Sequence, residues 1–202
     1  MGKRLGVMGG SFDPIHNGHL GTAFAMEKAL TLDEVLFIPA YISPFKQWKE
    51  AAPGHERYAM VELAIKDHPT WKASDMELKR TGISYTYDTI VALKKEQEVG
   101  TEIFFIIGAD SALELTKWYK IKEMLELCTF VVATRPGFLG QIDAAKKELA
   151  EAGLTNILWV KTPEIEISST EVRKKVQQGL SIENFVPKAI VEYIRQRDLY
   201  RQ

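Results

Sequence analysis

The sequence predicts an α/β fold, a doubly wound parallel sheet with helices on both faces and a C-terminal helical extension. Three observations point there. Five short, unbroken apolar runs rich in Val, Ile and Phe have the character of strands buried on both sides. Longer segments of helical period separate them. Small, polar and charged residues gather just after the strands, where open parallel sheets bind ligands.

The strands are expected over residues 4–8, 35–38, 103–107, 130–133 and 157–160, with a weaker one over 71–78. Helices are expected over 19–30, 56–67, 88–98, 142–152, 169–178 and 187–197. The segment 142–152 keeps a 3.6-residue period, and Gly153 ends it. Alternation of strand and helix along the chain implies parallel strands joined by crossover helices. There is no internal repeat and no low-complexity linker, so a single domain over 1–202 is expected.

Composition narrows the functional classes. Apolar residues make up 46% and charged residues 26%, which is globular rather than disordered. The formal net charge of −1 provides no basic field for nucleic acid, so a polyanionic ligand must be held by a local site. The single cysteine excludes an intrachain disulfide framework and a cysteine-rich zinc motif. Its apolar neighbours mark Cys128 as a small buried hydrophobe. Residues 5–8 are too few for a secretory hydrophobic region, and the longest apolar runs fall well short of the about 20 residues of a membrane helix. A cytoplasmic protein with neither membrane nor nucleic-acid partners is expected, and its oligomeric state is left open.

The strand ends carry the chemistry. The first is followed by Gly9-Gly10-Ser11-Phe12-Asp13, the second by Pro39 with Lys46 beyond it. Gly108-Ala109-Asp110-Ser111 follows residues 103–107, and Thr134-Arg135-Pro136-Gly137 follows 130–133. The frame Gly10-x-Phe12-x-x-x-His16-x-Gly18-His19 matches neither the dinucleotide fingerprint nor the P-loop. Its glycines still suit close approach of backbone to a phosphate. A helix starting near Gly18 places about half a positive charge at its N-terminus, beside two imidazoles able to donate to phosphate oxygens.

Other readings of the same residues exist. Zinc held by His16 and His19 with Asp13 or Asp110 leaves the glycines unexplained. Proton transfer is open to a histidine, whose ordinary pKa is about 6.5. Simple packing at a turn is the bland alternative. Far downstream, Ile167-Ser168-Ser169-Thr170-Glu171-Val172-Arg173 precedes a helical run. Hydroxyls there can cap the helix and meet phosphates while Arg173 reaches a polyphosphate. Read by themselves, Ser168 and Glu171 have the spacing of an ordinary capping box.

Together, GGSFDPIHNGHL and ISSTEVR resemble the two signatures of the nucleotidyltransferase superfamily, whose fold is Rossmann-like. Within it the chain is most similar to the bacterial nicotinate-nucleotide adenylyltransferases, along nearly its whole length. Further matching stretches include FIPAYISPFK, HERYAM, SYTYDT, FIIGAD, ATRPGF and the closing LY. The cousin phosphopantetheine family usually has Thr in place of His16 and lacks an arginine at the position of Arg173. One departure is Ser43-Pro44-Phe45-Lys46, where the family often reads Pro-Pro-His-Lys.

The resemblance implies adenylyl transfer from ATP to nicotinate mononucleotide, with the substrate phosphate as nucleophile and Mg²⁺ carried by the ATP phosphates. It assigns His16 and His19 to the ATP phosphates, with the backbone of Gly10, Ser11 and Phe12 beside them. Ser169, Thr170, Arg173 and Lys46 then hold the β- and γ-phosphates, and His16, His19 and Arg173 are the catalytic set. Gly108 and Asp110 fall on the ATP side, Asp110 either contacting ribose or capping a helix. Thr86 and Tyr87 open a helix suited to the nicotinate carboxylate, Trp118 stacks on the pyridine ring, and Arg135 pairs with a substrate anion.

Overall fold

A computed structural model describes residues 2–42, 44, 51–134, 139–163 and 165–201. In chain order the elements are β1 (Arg4–Gly10), α1 (Asn17–Leu30), β2 (Glu34–Pro39), α2 (Gly54–Ile65), β3 (Trp71–Ala73), α3 (Met76–Arg80) and α4 (Thr86–Glu96). Then come β4 (Glu102–Gly108), α5 (Ala109–Leu113), a 3₁₀ turn (Leu115–Lys117), α6 (Ile121–Leu127) and β5 (Thr129–Thr134). The chain continues through α7 (Leu139–Glu151), β6 (Ile157–Lys161), α8 (Ser169–Gln177) and α9 (Lys188–Gln196).

Six strands form one sheet in the order β3-β2-β1-β4-β5-β6. The pairs β1–β4, β4–β5 and β5–β6 are parallel, with Leu5 opposite Ile103, Phe105 opposite Phe130, and Phe130 opposite Ile157. The order runs outward from β1 toward β3 and from β4 toward β6. With such an order, the right-handed crossovers that are the rule between parallel strands carry helices to opposite faces. This is the doubly wound sheet the sequence predicts, with α8 and α9 as its C-terminal helices.

The chain packs as two compact units, each assembled from three stretches. The first comprises Met1–Gly9, Thr22–Leu36 and Tyr85–Glu164, and the second comprises Gly10–Gly21, Phe37–Ser84 and Ile165–Gln202. In the first, β4 buries five consecutive residues and β5 four, with no alternation, because both faces of these strands are covered. The edge strand β6 differs, and its Leu158 is 42% exposed. Cys128 lies buried between α6 and β5, donating its thiol to the Met124 carbonyl. Burial pushes that thiol up to about 12, as expected of a packing residue rather than a nucleophile.

In the second unit Phe37 lies between Phe12 and Trp71, at centroid distances of 5.9 and 5.4 Å, and His68 stacks on Trp71. Met60 and Val61 of α2 and Ile190 and Ile194 of α9 are buried. The strand expected over 71–78 is corrected here. Only Trp71–Ala73 is extended, and Met76–Arg80 is helical. The sequence MELKR is made of good helix formers, and Lys79 pairs with Asp75 one turn away.

α1, α2 and α4 start at residues 17, 54 and 86, each two residues ahead of the expected 19, 56 and 88. First-turn residues lack intrahelical N–H partners, so Gly and polar residues there read as loop. The short helices α5 and α6 and the 3₁₀ turn between β4 and β5 are too brief to display a period.

Candidate functional site

The loop from β1 into α1 is held in shape through its carbonyl groups. The Gly10 carbonyl accepts from the Ala40 amide at 2.8 Å and the Ser11 carbonyl from Arg57 Nη1 at 2.7 Å. The Asp13 carbonyl accepts from Arg173 Nη1 at 2.7 Å, and the Pro14 carbonyl from Ser169 Oγ at 2.9 Å. Phe12 sits in the left-handed backbone region at φ 47 with its ring wholly buried, edge-on to His19 at 5.1 Å. Such a backbone costs on the order of 1–3 kcal/mol, and burial of the ring returns a similar amount.

His16 and His19 meet face to face, with ring centroids 3.7 Å apart. The backbone N–H of His16 donates to Nδ1 of His19 at 3.2 Å. A backbone amide can only donate, so His19 Nδ1 is the acceptor and the neutral ring carries its proton on Nε2. His19 is thereby fixed as an Nε2–H donor. The His16 carbonyl takes the amides of His19 and Leu20, so the helix begins inside the motif. Gly18 gives the stack room: a Cβ there would stand 3.0 Å from His16 Nδ1, so the ring would have to shift by a few tenths of an ångström.

Behind the loop lies a buried polar cluster. The carboxylate of Asp13, only 4% exposed, accepts from the Ala52 amide and the Tyr200 hydroxyl at Oδ1, at 3.1 and 2.7 Å. Its Oδ2 stands 3.5 Å from Arg173 Nη1. Arg57, 2% exposed, also donates Nε to the Ala52 carbonyl. Burial lowers the Arg57 pKa, and the charge of Asp13 works against that shift. Tyr200 is pushed upward by burial and then by Asp13, so its hydroxyl keeps its proton and donates. A second hydroxyl–carboxylate pair, Tyr193 to Glu56 at 2.6 Å, joins α9 to α2, with Arg197 3.8 Å from the same carboxylate.

At the start of α8, Ser168 caps the helix by accepting the Glu171 amide. Ser168 thus takes the capping role, while the neighbouring Ser169 and Arg173 engage the loop. Arg173 Nη2 also receives orientation from Thr170, whose Oγ1 accepts at 3.3 Å. His16, His19, Ser169, Thr170 and Arg173, with Gly10, Ser11 and Phe12, are thus brought together within the second unit.

Thr86, Tyr87, Gly108, Asp110 and Trp118 lie in the first unit. Thr86 and Tyr87 open α4, and Tyr119 packs against Tyr85 and Tyr87 at 4.9 and 6.0 Å. Lys120, in the left-handed region at φ 53, holds its ammonium 4.4 Å from the Tyr87 ring centre and 5.3 Å from that of Tyr119. Trp118 is half-buried, edge-on to Phe105 and Phe130 at 6.2 and 5.9 Å. At the end of β4, Gly108 is the N-cap of α5, so Asp110 is an exposed first-turn residue and not the cap. Lys46 and Arg135 lie outside the described residues.

Asp13, Arg57 and Tyr200 are the residues sequence reasoning left without these roles. The structure buries Glu56 and Arg57 at the start of α2, where charged groups require partners, and nothing in their local sequence announces that burial.

The chain matches the Cytidylyltransferase-like family model over residues 7–175. It is 40% identical over 200 residues to a protein of Thermoanaerobacter sp. (strain X514) named probable nicotinate-nucleotide adenylyltransferase, covering 98% of this chain and 95% of that one. A protein of the same name from Clostridium botulinum (strain Eklund 17B / Type B) is 38% identical over 201 residues, covering 99% of each. The fold is also that of Plasmodium falciparum nicotinic acid mononucleotide adenylyltransferase complexed with NaAD, with a TM-score of 0.78 at 20% identity over 98% of this chain and 97% of that one.

Proposed function

We propose, from the premise that this chain belongs to the nicotinate-nucleotide adenylyltransferase family and transfers the adenylyl group of ATP to nicotinate mononucleotide, that the loop before α1 and the first turns of α8 handle the triphosphate. A phosphate oxygen of nicotinate mononucleotide attacks the α-phosphorus, the bond to the bridging oxygen of the β-phosphate breaks, and pyrophosphate leaves. The product is nicotinate adenine dinucleotide. The nucleophile belongs to the substrate, so the protein supplies alignment and charge stabilisation rather than a nucleophile of its own.

The observation that carries this reading is the His16–His19 pair. The amide bond that fixes His19 as an Nε2–H donor presents a hydrogen-bond donor that needs no reorganisation as charge builds on the α-phosphate. Arg173 and Thr170 serve the leaving pyrophosphate, with Lys46 as a further cation. Ser169 positions the loop while its helix N-terminus faces the same phosphates. Among the described residues no cluster of three His, Cys, Asp or Glu side chains could hold a metal ion. A site of imidazole, hydroxyl and guanidinium donors fits Mg²⁺ carried on phosphate oxygens and water rather than in a protein cage. When bound, the ion neutralises charge on the triphosphate.

For the acceptor, the start of α4 at Thr86 and Tyr87 serves the nicotinate carboxylate, and Trp118 offers an aromatic surface to the pyridine ring. Arg135 is assigned to a substrate anion, and Gly108 and Asp110 to the ATP nucleoside. No helix among the described residues is long and apolar enough to cross a membrane, and we place the enzyme with its ATP in the cytoplasm.

The test is pyrophosphate release from ATP and Mg²⁺ with nicotinate mononucleotide, nicotinamide mononucleotide and phosphopantetheine supplied separately. Release is expected with the first. None with it overturns the reading, and faster release with the amide reassigns the acceptor.

A further inference from the structure

Resting on the reading of Arg173 as a triphosphate ligand, we infer that Tyr200 is a positioning residue: its hydroxyl holds the Asp13 carboxylate back from Arg173 and so keeps the guanidinium available for ATP. The geometry at Asp13 is that of a restrained pair. Oδ1 takes two donors, the Tyr200 hydroxyl at 2.7 Å and the Ala52 amide at 3.1 Å. Oδ2 stands 3.5 Å from Arg173 Nη1, whereas an unrestrained Arg–carboxylate pair closes to about 2.7–2.9 Å. Nη1 is meanwhile directed to the Asp13 carbonyl at 2.7 Å. The guanidinium is oriented by that carbonyl and by Thr170, and the carboxylate is kept from forking onto it.

Tyr200 meets a conformational cost to stand there. Its φ is 64, and that of Asp198, two residues earlier, is 53. Bulky side chains seldom adopt this region, and such outliers persist only where their surroundings enforce them. Burial and the Asp13 charge raise the Tyr200 pKa, so the hydroxyl remains a donor throughout the working pH range. The tail does not depend on this bond for its attachment, because Tyr193 holds Glu56 and Ile190 and Ile194 are buried. Removing one hydroxyl therefore tests the positioning role in a folded protein.

The experiment compares wild type, Tyr200→Phe, Tyr193→Phe and the double variant Asp13→Asn/Tyr200→Phe in full-length protein. It reads KM for each substrate, kcat, and ATP affinity by calorimetry without acceptor. Tyr200→Phe is expected to raise the ATP KM and Kd about tenfold, the scale of one hydrogen bond to a charged group, with the KM for nicotinate mononucleotide unchanged. Tyr193→Phe should change neither by more than about twofold, since its partner Glu56 is not in this cluster. In the double variant the neutral amide no longer competes for Arg173, so ATP affinity returns toward wild type. Wild-type ATP affinity in Tyr200→Phe overturns the proposal, as does a further loss in the double variant. Asp13→Asn alone reads the same restraint from its other end and should tighten ATP, and weaker ATP binding there also overturns it. A wild-type enzyme that binds ATP but releases no pyrophosphate with nicotinate mononucleotide would instead count against the choice of acceptor.

Discussion

In the second unit the loop before α1 is held by Ser169, Arg173 and Tyr200, which stand 155, 160 and 187 residues from their loop partners. In the first unit Tyr85, Tyr87, Tyr119 and Lys120 meet through ring contacts at the surface, with no buried ion pair among them. Under the proposed function the two regions meet different ligands. A triphosphate concentrates charge on a few oxygens, and fixed donors stabilise it without reorganising. A pyridine ring presents a face and an edge, which aromatic side chains can meet with looser geometry. The second unit holds its loop through directed hydrogen bonds, and the first presents ring faces at the surface.

The sharpest way to break this contrast is to remove the carboxylate beneath the loop. Asp13→Ala removes the carboxylate whose charge favours the buried Arg57 guanidinium and takes away the acceptor of Tyr200 and of the Ala52 amide. Urea unfolding should show a loss of about 3–5 kcal/mol, the usual effect of deleting one partner of a buried pair. A loss below about 1 kcal/mol would mean that the loop is held by its carbonyl contacts alone. His19→Ala comes next. Loss of a preorganised donor should lower kcat about 10²-fold, equivalent to about 2.7 kcal/mol, while Tm stays near wild type. Unchanged turnover in a folded variant would return the His16–His19 stack to a packing role.

How much of this was legible beforehand follows from the range of each interaction. The strands through Val7, Ile106 and Val131 were visible because unbroken apolar runs report burial on both faces without knowledge of the partner. His16, Gly18, His19 and Arg173 were visible because the signatures that carry them are contiguous. The Asp13–Tyr200 bond was not, since nothing local to either residue names a partner 187 positions away. The segment 71–78 misled because Trp71 and Ala73 alternate like a strand, while the helical preference of MELKR beyond them prevails. Ser168 and Ser169 show a finer limit. Sequence offered capping and binding as rivals, and adjacent hydroxyls turn to different neighbours.

A smaller effect is read through pH. Cys128 in the first unit has its thiol pushed up to about 12 from an ordinary 9.0, because burial disfavours the thiolate. In the unfolded chain the thiol ionises first, so the folded state holds the extra proton between those values. Stability is therefore fully present below about pH 9 and declines above it, by up to about 1.4 kcal/mol per pH unit. Urea unfolding at pH 8 and pH 10 should show this decline in wild type and less of it in Cys128→Ala. An equal decline in both would assign the alkaline loss to tyrosines such as Tyr200, whose pKa is raised in the same direction.

The smallest expected effect concerns Trp118, where packing and substrate contact are hardest to tell apart. Its indole lies edge-on to both Phe105 and Phe130, an arrangement that by itself accounts for a half-buried tryptophan. Trp118→Phe keeps an aromatic ring in the same place, so the edge-on pairs should lose no more than about 0.5–1.5 kcal/mol. Ring area facing a pyridine shrinks more than core area does, which predicts a KM for nicotinate mononucleotide several-fold higher with the ATP KM unchanged. If stability falls while both KM values hold, Trp118 belongs to the core of the first unit, and recognition of the pyridine passes to the tyrosines beside Lys120. If KM rises while stability holds, the surface of the first unit acts as the contrast with the charged loop requires: it recognises a ring by area, where the loop recognises phosphate by fixed donors.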